Sequence, residues 1–155
     1  CGDLLSCKID VSGNISWMQV FPKAQREVIQ VGSSSGYFST GFFDVANRPF
    51  YAGFGAMQSA NAVHIFFNDN PNNDVVTQPG QKLKTANRFG RSDCYVLTVD
   101  EATGKCTRKM LFSNSDIPTS MPRLGSVVDV SMYIVGKEDR LFGQSKIAVG
   151  KITLK

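Results

Sequence analysis

His64 is the only histidine in these 155 residues, and it stands between Val63 and Ile65 in the apolar run Ala62–Phe67. A Ser-His-Asp or Cys-His arrangement would need it as the base, with Asp44 or Asp69 and one of several serines completing the set. No nucleophile-elbow signature supports that chemistry, so a structural histidine, hydrogen-bonded within a sheet, is expected. Just beyond it, Asn68, Asn70, Asn72 and Asp74 place oxygen ligands at alternate positions, with Asp69 beside them, a pattern that hard cations such as calcium favour. The EF-hand pattern fails here: Pro71 intrudes, Asn73 stands where glycine is needed, and Pro79 replaces the closing glutamate. Asn68, Asn70, Asn72 and Asp74 are therefore kept as candidate calcium ligands beside the stronger expectation of a strand-ending turn, and no other cofactor is expected. Asp10 and Asp100 resemble a pair of acids for glycoside cleavage. Each, however, ends an apolar segment just before a glycine turn, where aspartate caps the turn. Gly32–Gly36 lacks the following lysine and helix of a phosphate loop. No residue is assigned a catalytic role.

The four cysteines, Cys1, Cys7, Cys94 and Cys106, form no C-x-x-C pair and make no familiar zinc spacing with His64. Cys7 and Cys94 sit in apolar segments and are expected to be small buried hydrophobes. A hairpin centred near Ala102 would set Cys106 opposite Thr98, so Cys94 and Cys106 are not natural cross-strand partners; other disulfides stay open but are not the expectation. Cys1 reads either as the lipid-bearing first residue of a processed lipoprotein or, preferably, as the start of a fragment. The net charge of +4 is spread over scattered basic residues, the nearest to a cluster being Lys82, Lys84, Arg88 and Arg91. That is too sparse for a nucleic-acid footprint, and no nucleic-acid partner is expected. No apolar run approaches the roughly 20 residues of a membrane-spanning helix. No charged-then-apolar leader precedes Leu4, which suggests a signal peptide absent or removed.

The elements that would position these groups read as strands. With 42% apolar and 19% charged residues the chain has the composition of one folded domain, and no helical stripe exceeds ten residues. Leu4–Asp10 and Ile15–Phe21 form a hairpin closed by Gly13-Asn14, and Pro22 ends its ladder. Tyr37–Val45 reads as a strand, Ala62–Phe67 as another, and Val75–Asp93 as a polar excursion. Cys94–Asp100 and Cys106–Phe112 form a second hairpin turning at Gly104. Gly125–Val130, Met132–Val135 and Lys146–Leu154 follow, the last two separated by the loop Gly136–Gly143.

The two hairpins share a design: an aspartate ends the first strand, a glycine makes the turn, and a phenylalanine ends the second. The segment Ile147–Leu154 overlays Leu4–Val11 as a third, partial copy. From Ile9 to Val99 is 90 positions, and from Val99 to Ile152 is 53; the latter is near the roughly 40–50 residues of one four-stranded propeller blade. The expected fold is thus all-β, one unit over 1–155 holding parts of about three antiparallel β-propeller blades. They are a partial blade in 1–22, a full blade in 37–112 and a partial C-terminal blade in 122–155. The alternative is a β-sandwich. Small residues Gly41, Gly53, Gly55 and Gly125 suit strands crowding a propeller axis, and strands covered on both faces explain the unbroken apolar runs. Such a chain is expected to be a fragment of a larger ring.

The hairpin sequence Cys7–Trp17 resembles the repeat of secreted, envelope-associated bacterial multi-bladed β-propellers. In that repeat a strand ending Lys-Leu-Asp is followed by a Gly-Asn turn and a strand bearing Trp. Phe66–Asn73 and Val149–Ile152 are similar to segments of the same proteins. Arg108 departs from the repeat, standing where Trp17 does. The resemblance implies an extracytoplasmic module for binding or scaffolding, whose partners are the remaining blades or another polypeptide. Recognition would sit in the loops at one end, the 68–93 excursion and Gly136–Gly143. The expected binding surface is Phe50, Tyr51 and Phe54 with Lys82, Lys84, Arg88 and Arg91. The rival expectation is a propeller or sandwich that binds or cleaves glycans.

Overall fold

The computed structural model describes residues 2–28, 49–138 and 144–153, in which nine strands form three antiparallel sheets. Strands β1 (Leu4–Ile9) and β2 (Ile15–Phe21) form a hairpin. Strands β3 (Gly55–Gln58), β4 (Ala62–Asp69), β5 (Asp93–Asp100) and β6 (Cys106–Ser113) form a four-stranded meander in chain order. Strands β7 (Thr119–Val128), β8 (Ser131–Glu138) and β9 (Lys146–Thr153) form a three-stranded one. The helical content of these residues is two 3-10 turns, Pro71–Asn73 and Phe89–Arg91. None of the described helices is long and apolar enough to cross a membrane. The all-β expectation holds.

Strand alternation sorts the apolar runs into two cores, one on each face of the central sheet. Ile65 and Phe67 of β4 and Tyr95, Leu97 and Val99 of β5 pack against Leu4 and Phe21 of the hairpin, with Trp17 and Val63 alongside. Phe66 of β4 and Met57 of β3 point the other way and pack against Met132 and Ile134 of β8, with Val96, Leu111 and Ile152. The three sheets therefore lie in layers, hairpin, four-stranded sheet and three-stranded sheet, rather than as two. Each large apolar side chain fully removed from water contributes about 1.5–3 kcal/mol. Phe66, Phe67, Leu97 and Val99 are all at most 1% exposed, so the central sheet is the layer that holds the other two.

Several sequence expectations change in detail. The place beside β4 belongs to the short β3; the expected strand Tyr37–Val45, with Asp44, the Gly32–Gly36 loop and Cys1, lies outside the described residues. Strand β7 begins at Thr119 instead of Gly125 and carries Pro122 through a register shift between Met121 and Ser126. A bulge of this kind frees Pro122 from the ladder bond it cannot make. Gly136 belongs to β8. Cys106 faces Val99 and not Thr98, because the Asp100 N–H to Lys105 carbonyl bond (3.0 Å) closes a loop one residue further on. Cys7 is exposed, lying on the outward face of β1.

The two matching turns are built alike and meet across the first layer boundary. Asp10 Oδ1 accepts from the Ser12 and Asn14 N–H groups (2.8 and 2.9 Å). Asp100 Oδ1 accepts from the Thr103 N–H and hydroxyl (2.8 and 2.6 Å). Trp17 Nε1 donates to the Glu101 carbonyl (2.9 Å), and its ring lies on Gly104. Gly104 has φ +72°, and a Cβ there would sit 2.6 Å from the indole; Gly13 has φ +87° but open space. Gly13→Ala should cost about 1 kcal/mol of conformational strain. Gly104→Ala should cost about 2–4 kcal/mol, since the indole must move as well. Urea unfolding of the two variants checks this; equal losses would show that Trp17 does not depend on the glycine.

Candidate functional site

The antiparallel order sends the turns after β1, β3, β5 and β7 to one end of the layers, and the segments 22–28, 70–92 and 114–118 to the other. At that second end the chain leaves β2 through Pro22 and runs along the 70–92 segment. Ala86 N–H donates to the Ala24 carbonyl and Arg26 N–H to the Ala86 carbonyl, both 2.9 Å. Polar side chains then fix every strand end they reach.

Asp69, the last residue of β4, pairs with Arg108 of β6 (Nη1 to Oδ2 3.2 Å), both side chains at most 3% exposed. The guanidinium stacks on Tyr95, 3.7 Å from the ring centroid, with Phe67 and Phe21 at 5.7 and 5.9 Å. Among the described residues its Nε and Nη2 have no hydrogen-bond partner. Asp69 Oδ1 accepts from the Asn70 N–H and from Asn73 Nδ2 (2.8 and 2.9 Å). Burial raises the Asp69 carboxyl above its ordinary value, although these donors and Arg108 pull it down. Burial likewise pushes the Lys23 ammonium down to about 8, with Asp69 and Asp3 opposing. Lys23 Nζ donates to Gln25 Oε1 (2.7 Å), and Gln25 Nε2 donates to the Asn68 carbonyl (2.5 Å).

A second set of bonds fixes the Phe50–Gly53 segment. The Glu27 carboxylate accepts three consecutive N–H groups, from Phe50, Tyr51 and Ala52 (3.0, 2.8 and 2.7 Å). Gly53 N–H donates to Gln25 Oε1 (2.8 Å). On the other face of β4, Asn68 Nδ2 donates to the Ser120 carbonyl (2.8 Å) and to that of Tyr51 (3.3 Å), while its Oδ1 accepts from Ser120 Oγ and Asn114 Nδ2 (both 2.9 Å). The Tyr51 ring stacks on buried Phe89, with centroids 5.8 Å apart. Beside them opens a groove of about 690 Å³, reaching the 114–119 loop and Lys137, Glu138 and Lys146.

The sequence candidates divide against this frame. Of Asn68, Asn70, Asn72 and Asp74, the structure brings Asn70 and Asn72 together, Asn72 Nδ2 donating to Asn70 Oδ1 (2.9 Å). Asn68 is sealed inside, Asn70 Oδ1 caps the Pro71–Asn73 turn by accepting from Asn72 N–H (3.0 Å), and Asp74 is exposed. Among the described residues no three of His, Cys, Asp and Glu cluster as metal ligands. His64 Nε2 lies 3.1 Å from Ser59 Oγ and Nδ1 3.1 Å from Thr98 Oγ1, and burial holds its pKa below the ordinary value. It is a neutral cross-strand link with threonine where a triad would have a carboxylate. Lys82, Lys84, Arg88, Arg91 and Phe54 are exposed, and Phe50 and Tyr51 half-buried; of these seven, Tyr51 lines the groove. Asp10 and Asp100 sit at the opposite end, both carboxyls held below their ordinary value by hydrogen bonds within their own turns. Glu27, Gln25, Asn114 and Phe89 were not foreseen. Their one signal is polarity in segments that read as connectors.

Comparison with family models, with curated proteins and with solved structures finds no match.

Arg108→Leu should strand Asp69 as an uncompensated buried charge and destabilise the fold by about 3–5 kcal/mol in urea titrations; a loss under 1 kcal/mol would show that the pair is not needed. For Lys23, the unfolded chain holds its proton to higher pH than the folded one, so stability gains as pH rises from about 8 towards the ordinary lysine value near 10.5. The buried Cys94 thiol, pushed up to about 12, works the opposite way above pH 9. Comparing wild type with Lys23→Met removes that common background. The stability of wild type relative to Lys23→Met should rise by on the order of 1–3 kcal/mol between pH 7 and pH 10; a pH-independent difference would count against a strained ammonium.

Proposed function

We propose that this chain is part of a multi-bladed β-propeller that works outside the cytoplasm as a binding or scaffold module, and that further blades, from the same or another polypeptide, cover its two outer layers. One observation carries the reading. The outward face of the β1–β2 hairpin is apolar from end to end: Leu5 opposite Val20, Cys7 opposite Met18, and Ile9 opposite Ile15. Leu5 is 65% exposed and Ile15 59%. The outer face of β7–β9 is mixed, with Val128, Val149 and Ile147 exposed among Ser126, Lys137 and Lys151 of the same face. A two-stranded hairpin is at best marginal by itself in water, and contiguous apolar surface of this kind is what a partner covers.

The blade reading also accounts for details of the layers. The repeat segment Cys94–Asp100 and the described part of the last one, Ile147–Thr153, fall on the third strands of their sheets, β5 and β9. Leu4–Asp10 would then hold the third place of an earlier blade; among the described residues its sheet has two strands and the last sheet three. The short β3 and the start of β7, inner strands of neighbouring blades, approach closely at Gly55, where a Cβ would collide with Pro122 and Met132. The extracytoplasmic placement rests on the likeness of Cys7–Trp17 to the secreted propeller repeat. Partners reach such a module through its rim, and no catalytic role is assigned to any residue.

The native mass in solution tests the assembly. Light scattering should give a particle heavier than the 17.0 kDa chain, and the double substitution Ile9→Lys, Met18→Lys should shift it towards the single chain without loss of strand signal. A wild-type monomer that unfolds cooperatively would overturn the reading in favour of a self-contained layered domain.

A further inference from the structure

The groove beside Tyr51 has the size of a small-ligand site, which is typically about 300–1,000 Å³. Its walls are held before any ligand arrives. Phe89, buried, supports the Tyr51 ring from below, and Glu27 and Asn68 fix the Tyr51 backbone through its N–H and carbonyl. The opposite wall is fixed too: Asn114 Nδ2 donates to Ser92 Oγ and Asn68 Oδ1 (both 2.9 Å), while its Oδ1 accepts the Ser120 N–H (2.9 Å). Preorganisation of this order removes the entropic cost that a mobile loop would add to binding.

The lining selects the ligand chemistry. Tyr51 supplies an aromatic wall, Ile117 and Pro118 an aliphatic one, and Asp116, Glu138, Lys137 and Lys146 a rim of two carboxylates and two ammonium groups. Such a rim carries acceptors and donors with no net charge. A nucleotide or polyanion would call for cationic excess. A sugar ring presents one face of C–H groups to an aromatic side chain and hydroxyls on its edge to acceptors and donors. We infer that this groove binds a neutral oligosaccharide, with Tyr51 as the stacking platform and Asp116 and Lys146 among the hydroxyl partners. The inference deepens the reading of this end of the layers as the recognition rim. It does not need the further blades, because all these residues belong to one chain.

The test is an NMR titration of the isotope-labelled chain with cellohexaose, xylohexaose and mannohexaose, beside an anionic heparin hexasaccharide and a glycine-rich hexapeptide. At least one neutral hexasaccharide should move the amide signals of Tyr51, Gly90, Ser115–Thr119 and Lys137, and the anionic and peptide probes should not. Tyr51→Ala should weaken that binding about tenfold or more. Asp116→Asn, at an exposed position, should weaken it several-fold with an unchanged melting temperature, which keeps the test valid if Tyr51→Ala unfolds. No response to the three neutral probes at millimolar concentration, shifts confined to other surfaces, binding unaffected by Asp116→Asn and Tyr51→Ala, or a preference for the heparin fragment would each overturn the inference. A light-scattering monomer that still binds the sugar would remove the propeller reading alone; a large assembly that does not would remove the groove alone.

Discussion

A sheet that is apolar on both faces has to be covered twice, and the four-stranded sheet β3–β6 is the one on which the other layers depend. Consecutive residues Ile65, Phe66 and Phe67 point to alternate sides, and all three are buried. Neither covering layer has that property. The hairpin contributes Leu4 and Phe21 to one core, and the three-stranded sheet contributes Met132 and Ile134 to the other. Each is dry on one face only. The hydrophobic effect therefore organises the molecule from the centre outward, and leaves the outer face of the hairpin as an uncovered apolar row.

Charge is handled at the boundary between the hairpin and that central sheet. Arg108 stands in β6, opposite Leu97 of β5, on the face that the hairpin covers. A guanidinium sealed there needs a counter-charge, and Asp69 at the end of β4 supplies it, while Tyr95, Phe67 and Phe21 take up the faces that water would otherwise solvate. Such a pair adds little net stability compared with apolar residues, but breaking it leaves an uncompensated buried charge. Lys23 then enters the same pocket of charge at the cost of its proton affinity. The exposed Lys8–Glu101 pair, 3.3 Å long and about 40% exposed on each side, does much less.

Short-range chemistry was the part of the fold written legibly in the chain. The Asp-turn-Gly pattern located both hairpins, since an aspartate cap and a positive-φ glycine act within five residues of each other. The unbroken apolar runs disclosed strands buried on two sides. What stayed hidden depends on distant partners. The four residues Gly55–Gln58 hold their place because β4 offers an edge, and no local pattern distinguishes them from the aromatic and small residues before them. Cys7 looked buried because its neighbours are apolar, yet strand alternation puts it on the uncovered face. In the candidate site, Tyr51 was visible as an aromatic in a loop. Phe89 and Asn114, which hold the groove's walls, were not, because their roles come from contacts with Tyr51, Ser92 and Asn68.

The two ends of the layers therefore differ in kind. At one end, Asp10 and Asp100 cap the backbones of their own turns, with Trp17 adding a bond to the Glu101 carbonyl of the second. At the other, Gln25 reaches across 43 residues to Asn68, Asn68 across 52 to Ser120, and Glu27 across 23 to 25 to Phe50–Ala52. Bonds of that span carry a large closure entropy and stabilise the end only as a set. Evolution of a mere connector would not need them, since loops are ordinarily mobile and tolerant. Buried long-range polar networks hold irregular backbone in one shape, and a fixed shape at a loop-built rim is what selective binding requires. On the proposed reading, the end with the costly loops is where recognition would sit.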